Sequence, residues 1–428
     1  MSKKVMLGLF LSLMLAIMSV STMVTAADVI TIQYAFWGNP AAIGVEKDII
    51  EEFEKTHPTI KVTPVVSDYN AYHSKLLTLF AGNQAPDVMR IDSYFMSDFM
   101  KYKALKDITP LINRDKFDMN AYYPVGLLDC MKGNKYYGLP WGTAPAFVFI
   151  NVKMFRDAGI PIPSVDWKYD DFLIIARQFS KGEGIDRQYG YAVGVTDLTN
   201  VFPFVWSGGG DLFDKNRKKF TLNKPEAYTK IQEIADLIKE GTIPDPAQFT
   251  SADVLNRWIV NNKVAMRLGM AAEILSLQKI EGFEFEVLPF PGTAQFPKAT
   301  ISKSNVVGIC STTKKERAAW EFLKFLRGPE QPGETLYMKA KRVPPSIDSQ
   351  ELWSLYADPN KSPKMVIETS KAVAAKYGHP LPLRAGWNEI QGLIVVQLQR
   401  VFSGQLSAKQ AMNDIAPKVQ EVINRTDK

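Results

Sequence analysis

Cysteine and histidine are scarce in this chain, at 2 and 3 among 428 residues. Two cysteines cannot build a disulfide scaffold. His57, His73 and His379 stand apart, with no Cys or His at ligand spacing, so no transition-metal constellation is present and no cofactor is expected. There is no Gly-x-Ser-x-Gly element, which removes the serine nucleophile elbow. A block of basic residues is also missing. The formal charge is +6, mild for this length, and Lys and Arg are scattered rather than drawn into the stripe of a nucleic-acid binder. No repeat with a period of 20–50 residues is evident. At 46% hydrophobic and 22% charged, the composition is neither disordered nor fibrous. What the chain does have is aromatics: 24 Phe, 16 Tyr and 8 Trp. Some must be core, but the surplus suits a site that stacks on flat apolar ligand faces. The length exceeds one compact core, so at least two lobes are expected.

The first 27 residues read as a cleavable secretory signal. Lys3 and Lys4 precede an apolar or small run from Met6 to Val20, and Ser21 to Ala27 is small and polar. The run is too short and wrongly flanked for a membrane span, and cleavage after Ala26 or Ala27 fits the small-residue rule. Cleavage removes Lys3 and Lys4 and lowers the formal charge from +6 to +4. No Cys lies near the cleavage point to carry a lipid anchor, so an exported, periplasmic or extracytoplasmic soluble protein is expected. Cys310 follows the apolar strand Val306-Val307-Gly308-Ile309, and Cys130 ends a helix-like stretch. Buried free thiols are favoured over a disulfide, although export permits one.

Along the mature chain, 29–37 is β-branched and aromatic and ends at Gly38-Asn39-Pro40, a strand running into a turn. A helix pattern over 43–55, a strand over 60–66, a helix over 72–80 and a strand over 87–92 follow. Strands alternating with helices of this length mean a parallel sheet with both faces covered. Ligands of such sheets bind beyond the carboxyl ends of the strands. Those ends are Trp37-Gly38-Asn39, Ser67-Asp68-Tyr69-Asn70 and Asp92-Ser93-Tyr94. A new unit begins with a strand over 146–151. Helices are expected at 170–180, 225–240, 252–261 and 271–281, and an edge or half-buried strand at 283–289. A strand over 304–309, a helix over 317–326 and two tail helices within 387–424 complete the pattern.

Several segments, taken in order, resemble the extracellular solute-binding proteins of ABC sugar importers, the group that includes maltose-binding protein. They are Ile49-Ile50-Glu51-Glu52-Phe53-Glu54-Lys55 running into Pro58-Thr59-Ile60-Lys61-Val62, and Ala81-Gly82-Asn83-Gln84-Ala85-Pro86-Asp87-Val88. Next come Tyr137-Gly138-Leu139-Pro140 with Phe149-Ile150-Asn151-Val152-Lys153, and Trp206-Ser207-Gly208-Gly209-Gly210-Asp211-Leu212-Phe213. Asn262-Lys263-Val264-Ala265-Met266-Arg267-Leu268-Gly269 and Ala319-Trp320-Glu321-Phe322-Leu323-Lys324-Phe325-Leu326 complete the set. Each motif is loose alone; order and spacing over the whole mature chain carry the resemblance. It implies an α/β, two-lobe periplasmic-binding-protein fold of type II, with discontinuous lobes joined by a hinge. The N-lobe would be 28–139 plus 300–343 and the C-lobe 140–299 plus 344–428. The ligand would lie in the cleft and close it.

A carbohydrate offers rings with apolar C–H faces and a rim of hydroxyls. Aromatic plates cover the first, and carboxylates, amides and Arg satisfy the second. The resemblance aligns Trp387 with an aromatic that stacks on sugar in maltose-binding relatives, against helix packing as the alternative. Trp141, followed by Gly142 and Thr143 at the hinge, is a large ring at a place better suited to cleft than core. Trp37 ends a strand and Trp206 precedes three glycines; for both, cleft and core stay open. Trp167, Trp258 and Trp320 read as structural. Asp92 and Asn39 are the best hydroxyl acceptors by position, with Tyr69 and Tyr94 of similar standing. Gly269 and Met270 match a ligand loop, but Ala271 and Ala272 stand where relatives place a Trp, so the ligand geometry of those relatives does not carry over. Arg342, beside a crossover, reads more as a solvated surface side chain than as a ligand contact.

The expected function is capture of a carbohydrate, weakly favouring an oligosaccharide, and its delivery by a monomer to the transmembrane subunits of an ABC permease, with no catalysis. A phosphorylated polyol, an amino acid derivative or a peptide in the same fold is the alternative, although the sequence displays no converging Arg and Lys for an anion. A secreted glycoside hydrolase is the distant third. It needs two carboxylates about 5–5.5 or 6.5–9.5 Å apart, and nothing in the sequence pairs Asp92, Asp211 and Glu273.

Overall fold

The computed structural model describes residues 28–38, 40–194, 198–249, 251–340, 343–358 and 360–427. The signal, Asn39 and Arg342 lie outside these residues. Strand β1 (Ile30–Trp37) leads into helix α1 (Pro40–Thr56), whose Ile49, Ile50 and Phe53 face is buried. Strand β2 (Ile60–Ser67) runs parallel to β1, with Ile30 opposite Ile60 and Trp37 opposite Ser67. Helix α2 (Tyr69–Ala81) starts three residues earlier than the periodicity predicts, so Tyr69 belongs to its first turn rather than to a loop. Strand β3 (Val88–Ile91) takes the other edge of β1, and helix α3 (Ser93–Lys101) follows directly. The sequence reading misses α3, which begins where Asp92 accepts a hydrogen bond from the Tyr94 amide as N-cap.

Strand β4 (Leu139–Asn151) is 13 residues long and almost wholly buried. Strand β5 (Tyr189–Ala192), helix α4 (Phe202–Ser207) and helix α5 (Pro225–Lys239) follow, then strands β6 (Val264–Met270) and β7 (Phe285–Leu288). The helix expected over 271–281 is cut to a 3-10 turn and the short helix Ile274–Leu277, because the Glu273 carboxylate turns back onto Arg267 and the Met270 amide. All four residues of β7 are buried, not half-buried. The strand pairs with β4, and the Thr369 hydroxyl from the covering helix Val366–Ala372 donates to the Val287 carbonyl. Strand β8 (Thr300–Ile309), helix α6 (Glu316–Arg327) and the tail helices α7 (Trp387–Phe402) and α8 (Ala408–Thr426) complete the chain.

One nine-stranded sheet runs β2-β1-β3-β8-β4-β6-β5, with β7 also on β4 and the two-residue strand Gly378–His379 on β8. The parallel run β2-β1-β3 therefore gives way to antiparallel pairing at β8 and β4, and parallel pairing returns between β6 and β5. These two strands cross between the lobes. The start of β4 pairs with β8, and its end, from Ala146, pairs with β6 and β7. Conversely, β8 pairs with Gly378–His379 at its start and with β3 at its end. The register slips between Lys303 and Asn305, the irregularity expected where a strand bends. Opposite the slip, Gly142 has φ +65°, and an added Cβ there would collide with Val343. The Thr143 amide donates to the Pro344 carbonyl at 2.9 Å, so a third segment joins the crossing.

The apolar layers explain which side opens. One cluster runs unbroken across both lobes, from Ile32, Tyr34 and Phe322 to Phe149, Val287 and Ile274. On the other face there are two clusters: one around Tyr72, Met89 and Phe99 under α2 and α3, and one around Phe172, Trp206 and Ile394 under α5, α7 and α8. The shared layer closes the hinge side, and the cleft falls between the two separate clusters. Cys130 and Cys310 are buried and in no disulfide.

Candidate functional site

Two lobe surfaces meet along this cleft and enclose a cavity of about 670 Å³, within the range of ~300–1,000 Å³ usual for small-molecule sites. One wall is a face of α3 (Ser93, Met96, Ser97, Met100 and Lys101) with Leu128, Asp129, Met131 and Lys132. Its other wall is the turn Asn216–Lys218, the strap from Pro380 to Ala385 and the end of α8. The lobes touch beside it: the Ser97 hydroxyl donates to the Leu383 carbonyl at 3.4 Å and Lys101 Nζ to the Thr426 carbonyl at 3.3 Å.

Four of the residues singled out in the sequence gather at the ends of the parallel strands. Trp37 is half-buried, its ring 5.5 Å from Tyr69, 5.1 Å from Tyr72 and 5.2 Å from His73. Tyr69 is 39% exposed and its hydroxyl donates to Asp92 Oδ2 at 3.4 Å. Burial and the Asp92 charge push the Tyr69 phenol upward. Asp92 is buried, and both its oxygens accept from Lys303 Nζ, at 3.0 and 3.1 Å. The same ammonium lies 4.4 Å from the Tyr94 ring centre, and Tyr94 packs onto the C-lobe cluster. Aromatic plates thus flank a charge pair whose lysine belongs to the crossover strand.

This wall is held from behind by charge. The Arg90 guanidinium sits 4.1 Å from the Trp37 ring and 4.7 Å from the Trp141 ring, forms a 2.8 Å pair with Glu46, and donates to the Trp37 carbonyl. His73 accepts the Asp92 amide on Nε2 at 3.0 Å and stacks 3.9 Å from Phe95. Desolvation lowers its pKa to about 4, so the ring is neutral and its proton sits on Nδ1.

The other candidates lie elsewhere. Trp141 is in the shared layer on the hinge side, edge-on to Tyr337 at 5.2 Å, and Thr143 is buried in the crossing. Trp206 is buried, stacked 3.9 Å from His379 and 5.1 Å from Phe202, and its Nε1 donates to Asp211 at 3.1 Å. Trp387 is buried at the start of α7, 6.2 Å from Phe202. Gly269 and Met270 end β6, paired with Phe147 and Ala146, and the Met270 amide donates to Glu273 at 2.7 Å. None of the described candidates lines the 670 Å³ cavity. The wall of Trp37, Tyr69, Asp92 and Tyr94 adjoins it through Ser93.

Sequence reasoning missed Lys303, Arg90 and Asp129. Arg90 carried a signal, a lone charge inside the apolar run Val88-Met89-Arg90-Ile91, where only a buried partner is tolerable. Lys303 carries none, because it lies just outside the apolar run that predicts a strand over 304–309, whereas the strand spans Thr300–Ile309. Asp129 lines the cavity and accepts the Ser304 amide at 2.7 Å, while the Ser304 hydroxyl donates to the Gly142 carbonyl at 2.7 Å. Burial raises Asp129 to about 6. The carboxylates considered for hydrolysis are each tied into separate networks: Asp92 to Lys303, Asp211 to Trp206, and Glu273 to Arg267. Among the described residues no group of three or more His, Cys, Asp or Glu could hold a metal ion.

Residues 41–331, about two thirds of the chain, match the sequence pattern of the bacterial extracellular solute-binding proteins. The chain belongs to that family. This solute-binding protein is 25% identical over 301 residues to an uncharacterized lipoprotein of Streptomyces antibioticus, covering 68% of this chain and 65%, just under two thirds, of that one. It is 24% identical over 396 residues to the diacetylchitobiose binding protein DasA of Streptomyces coelicolor, covering 89% and 86%. Its fold matches an ABC substrate-binding protein of Listeria monocytogenes in complex with cycloalternan, with a TM-score of 0.75 at 22% identity, over 94% of this chain and 99% of that one. The two-lobe α/β fold of solute-binding proteins is therefore the fold of this chain. No helix among its described residues is long and apolar enough to cross a membrane.

Proposed function

We propose that this solute-binding protein captures a carbohydrate, preferentially an oligosaccharide, between its lobes and delivers it to the transmembrane subunits of an ABC permease, with no chemistry on the ligand. The observation that carries the reading is the wall of partly exposed rings, Trp37, Tyr69 and Tyr94, around the Asp92–Lys303 pair, beside a cavity of about 670 Å³ between the lobes. Rings meet the C–H faces of a sugar, and a carboxylate and an ammonium at hydrogen-bonding distance meet its hydroxyls. Two relatives support it by what their names say they hold, diacetylchitobiose and cycloalternan. Trp206 and Trp387 would form the support of the opposite wall. The lobes would be 28–139 plus 300–343 and 140–299 plus 344–428, and the protein would act as a monomer, exported through its signal to the periplasm or the cell exterior.

A thermal-shift screen of the mature protein against mono-, di- and oligosaccharides, with sugar phosphates and amino acids as controls, tests this. Any ligand favouring the native state raises the melting temperature by mass action. A rise with one carbohydrate series is expected. A rise confined to amino acids would overturn the reading.

A further inference from the structure

The interlobe cavity carries far more positive than negative side chains. Lys101, Lys132, Arg217, Lys218 and Arg384 line it, against Asp129 and Asp427. Among the described residues only Arg384 of these five is ion-paired, to Asp427 at 2.6 Å. Lys101 and Arg217 reach backbone carbonyls, Thr426 and Leu383, and Lys132 and Lys218 make no ion pair among the described residues. Asp98 and Asp214 are within electrostatic reach of Lys101 and Lys218, but at no ion-pair distance and outside the lining. The sequence displays no such cluster because its members come from four distant segments: the end of α3, the Met131–Lys132 strand, the 216–218 turn and the strap before α7.

Two residues of the lining also hold an orphaned polar atom. Ser93 Oγ and Arg384 Nε are buried without a hydrogen-bond partner among the described residues, and both residues line the cavity, from opposite walls. An unpaired buried donor costs about 1–3 kcal/mol, so both residues of the lining carry an unmet demand for an acceptor. Arg384 is otherwise fixed, donating to Ile423, Thr426, Asp427 and the Arg217 carbonyl. In a concave, partly desolvated space the surrounding cations focus their field inward.

Resting on the carbohydrate reading above, we propose that the cavity takes an acidic oligosaccharide, one carrying carboxylates on more than one ring. The dispersal of the charges favours this over a sugar phosphate. A phosphate is met at one point, by a forked arginine or a cradle of amides, whereas these cations are spread around a cavity of about 670 Å³. Separated carboxylates along an oligouronate match that spread.

The test is calorimetric titration of the mature protein with tri-uronates of the galacturonate and mannuronate series, their methyl esters, maltotriose and glucose 6-phosphate. One tri-uronate is expected to bind about tenfold or more tightly than its ester, weakening as salt screens the charges. The exposed double variant Lys132→Gln/Lys218→Gln should lose about tenfold toward the tri-uronate with an unchanged melting temperature. Ester or maltotriose binding as tightly as every tri-uronate, indifferent to salt and to the variant, overturns the acidic ligand and leaves the carbohydrate reading standing. Binding of glucose 6-phosphate alone overturns the inference in favour of a phosphate site. Silence of every sugar, acidic and neutral, overturns the carbohydrate reading with it.

Discussion

The two aromatic groups proposed to back the walls of the cleft are built by opposite means. On the N-lobe side Trp37, Tyr69 and Tyr94 remain partly open, and their positions are set by charge: Arg90 behind Trp37, Lys303 between Asp92 and Tyr94. On the C-lobe side Trp206, Phe202, His379 and Trp387 are stacked on one another, with both tryptophans buried. The difference follows from origin. The first set stands at strand ends and at the starts of α2 and α3, where the backbone leaves the sheet, and the second lies inside the packing of α4 and α7. The comparison teaches that an aromatic surplus can serve recognition or cohesion, and that the neighbours of a ring decide which.

The largest expected effect breaks the charge behind the first wall. Arg90→Met takes the guanidinium from the buried Glu46 carboxylate, which the Tyr337 hydroxyl also contacts. It should cost about 3–5 kcal/mol of stability in urea unfolding, as removal of one member of a buried pair does. Trp206→Ala empties the stack on the second wall, and a loss of roughly 3–5 kcal/mol is expected. A ligand-binding defect in that variant without a stability loss would mean that Trp206 faces the ligand after all. Tyr69→Ala sharpens the contrast from the other side. At 39% exposed it should change stability by only about 0.5 kcal/mol, yet weaken the proposed sugar by about tenfold, roughly 1.4 kcal/mol, in titration.

The parent's own response to pH is the smallest effect, because two opposing titrations offset each other in it. Burial raises Asp129 to about 6 from its ordinary 3.8, so the folded chain holds more protons there than the unfolded one. Its contribution is present at low pH and lost as pH rises through about 6. His73 acts in the opposite sense: its folded pKa of about 4, against 6.5 ordinarily, gives stability that is present above 6.5 and lost as pH falls toward 4. The two slopes oppose each other over much of the same window. Asp129→Asn should steepen the rise of melting temperature with pH between about 4 and 6, and His73→Gln should leave a fall. Identical profiles for both variants and the parent would show that neither side chain is desolvated.

Much of the fold was legible because it rests on local pattern. The alternation from Ile30 to Ile91, the amphipathic helix at Glu316–Arg327 and the two tail helices each announce themselves by period. Helix α3 was not legible, since its start depends on the Asp92 cap and its face on a partner lobe distant in sequence. Of the proposed site, one side was legible, where strand-end logic places Trp37, Tyr69, Asp92 and Tyr94 near one another. For Trp141, Trp206 and Trp387, residue type and flanking glycines could not reveal burial, because Tyr337, His379 and Phe202 come from remote segments. The cationic cavity has the same cause: four segments that no local window joins.

The central claim is that ligand is held between these walls and draws them together. Small-angle scattering of the mature protein, alone and saturated with the carbohydrate that the thermal screen selects, tests it most directly. A smaller radius of gyration at saturation is predicted, as for hinged closure on a bound solute. An unchanged radius alongside stoichiometric binding would contradict it and place the ligand outside the cleft.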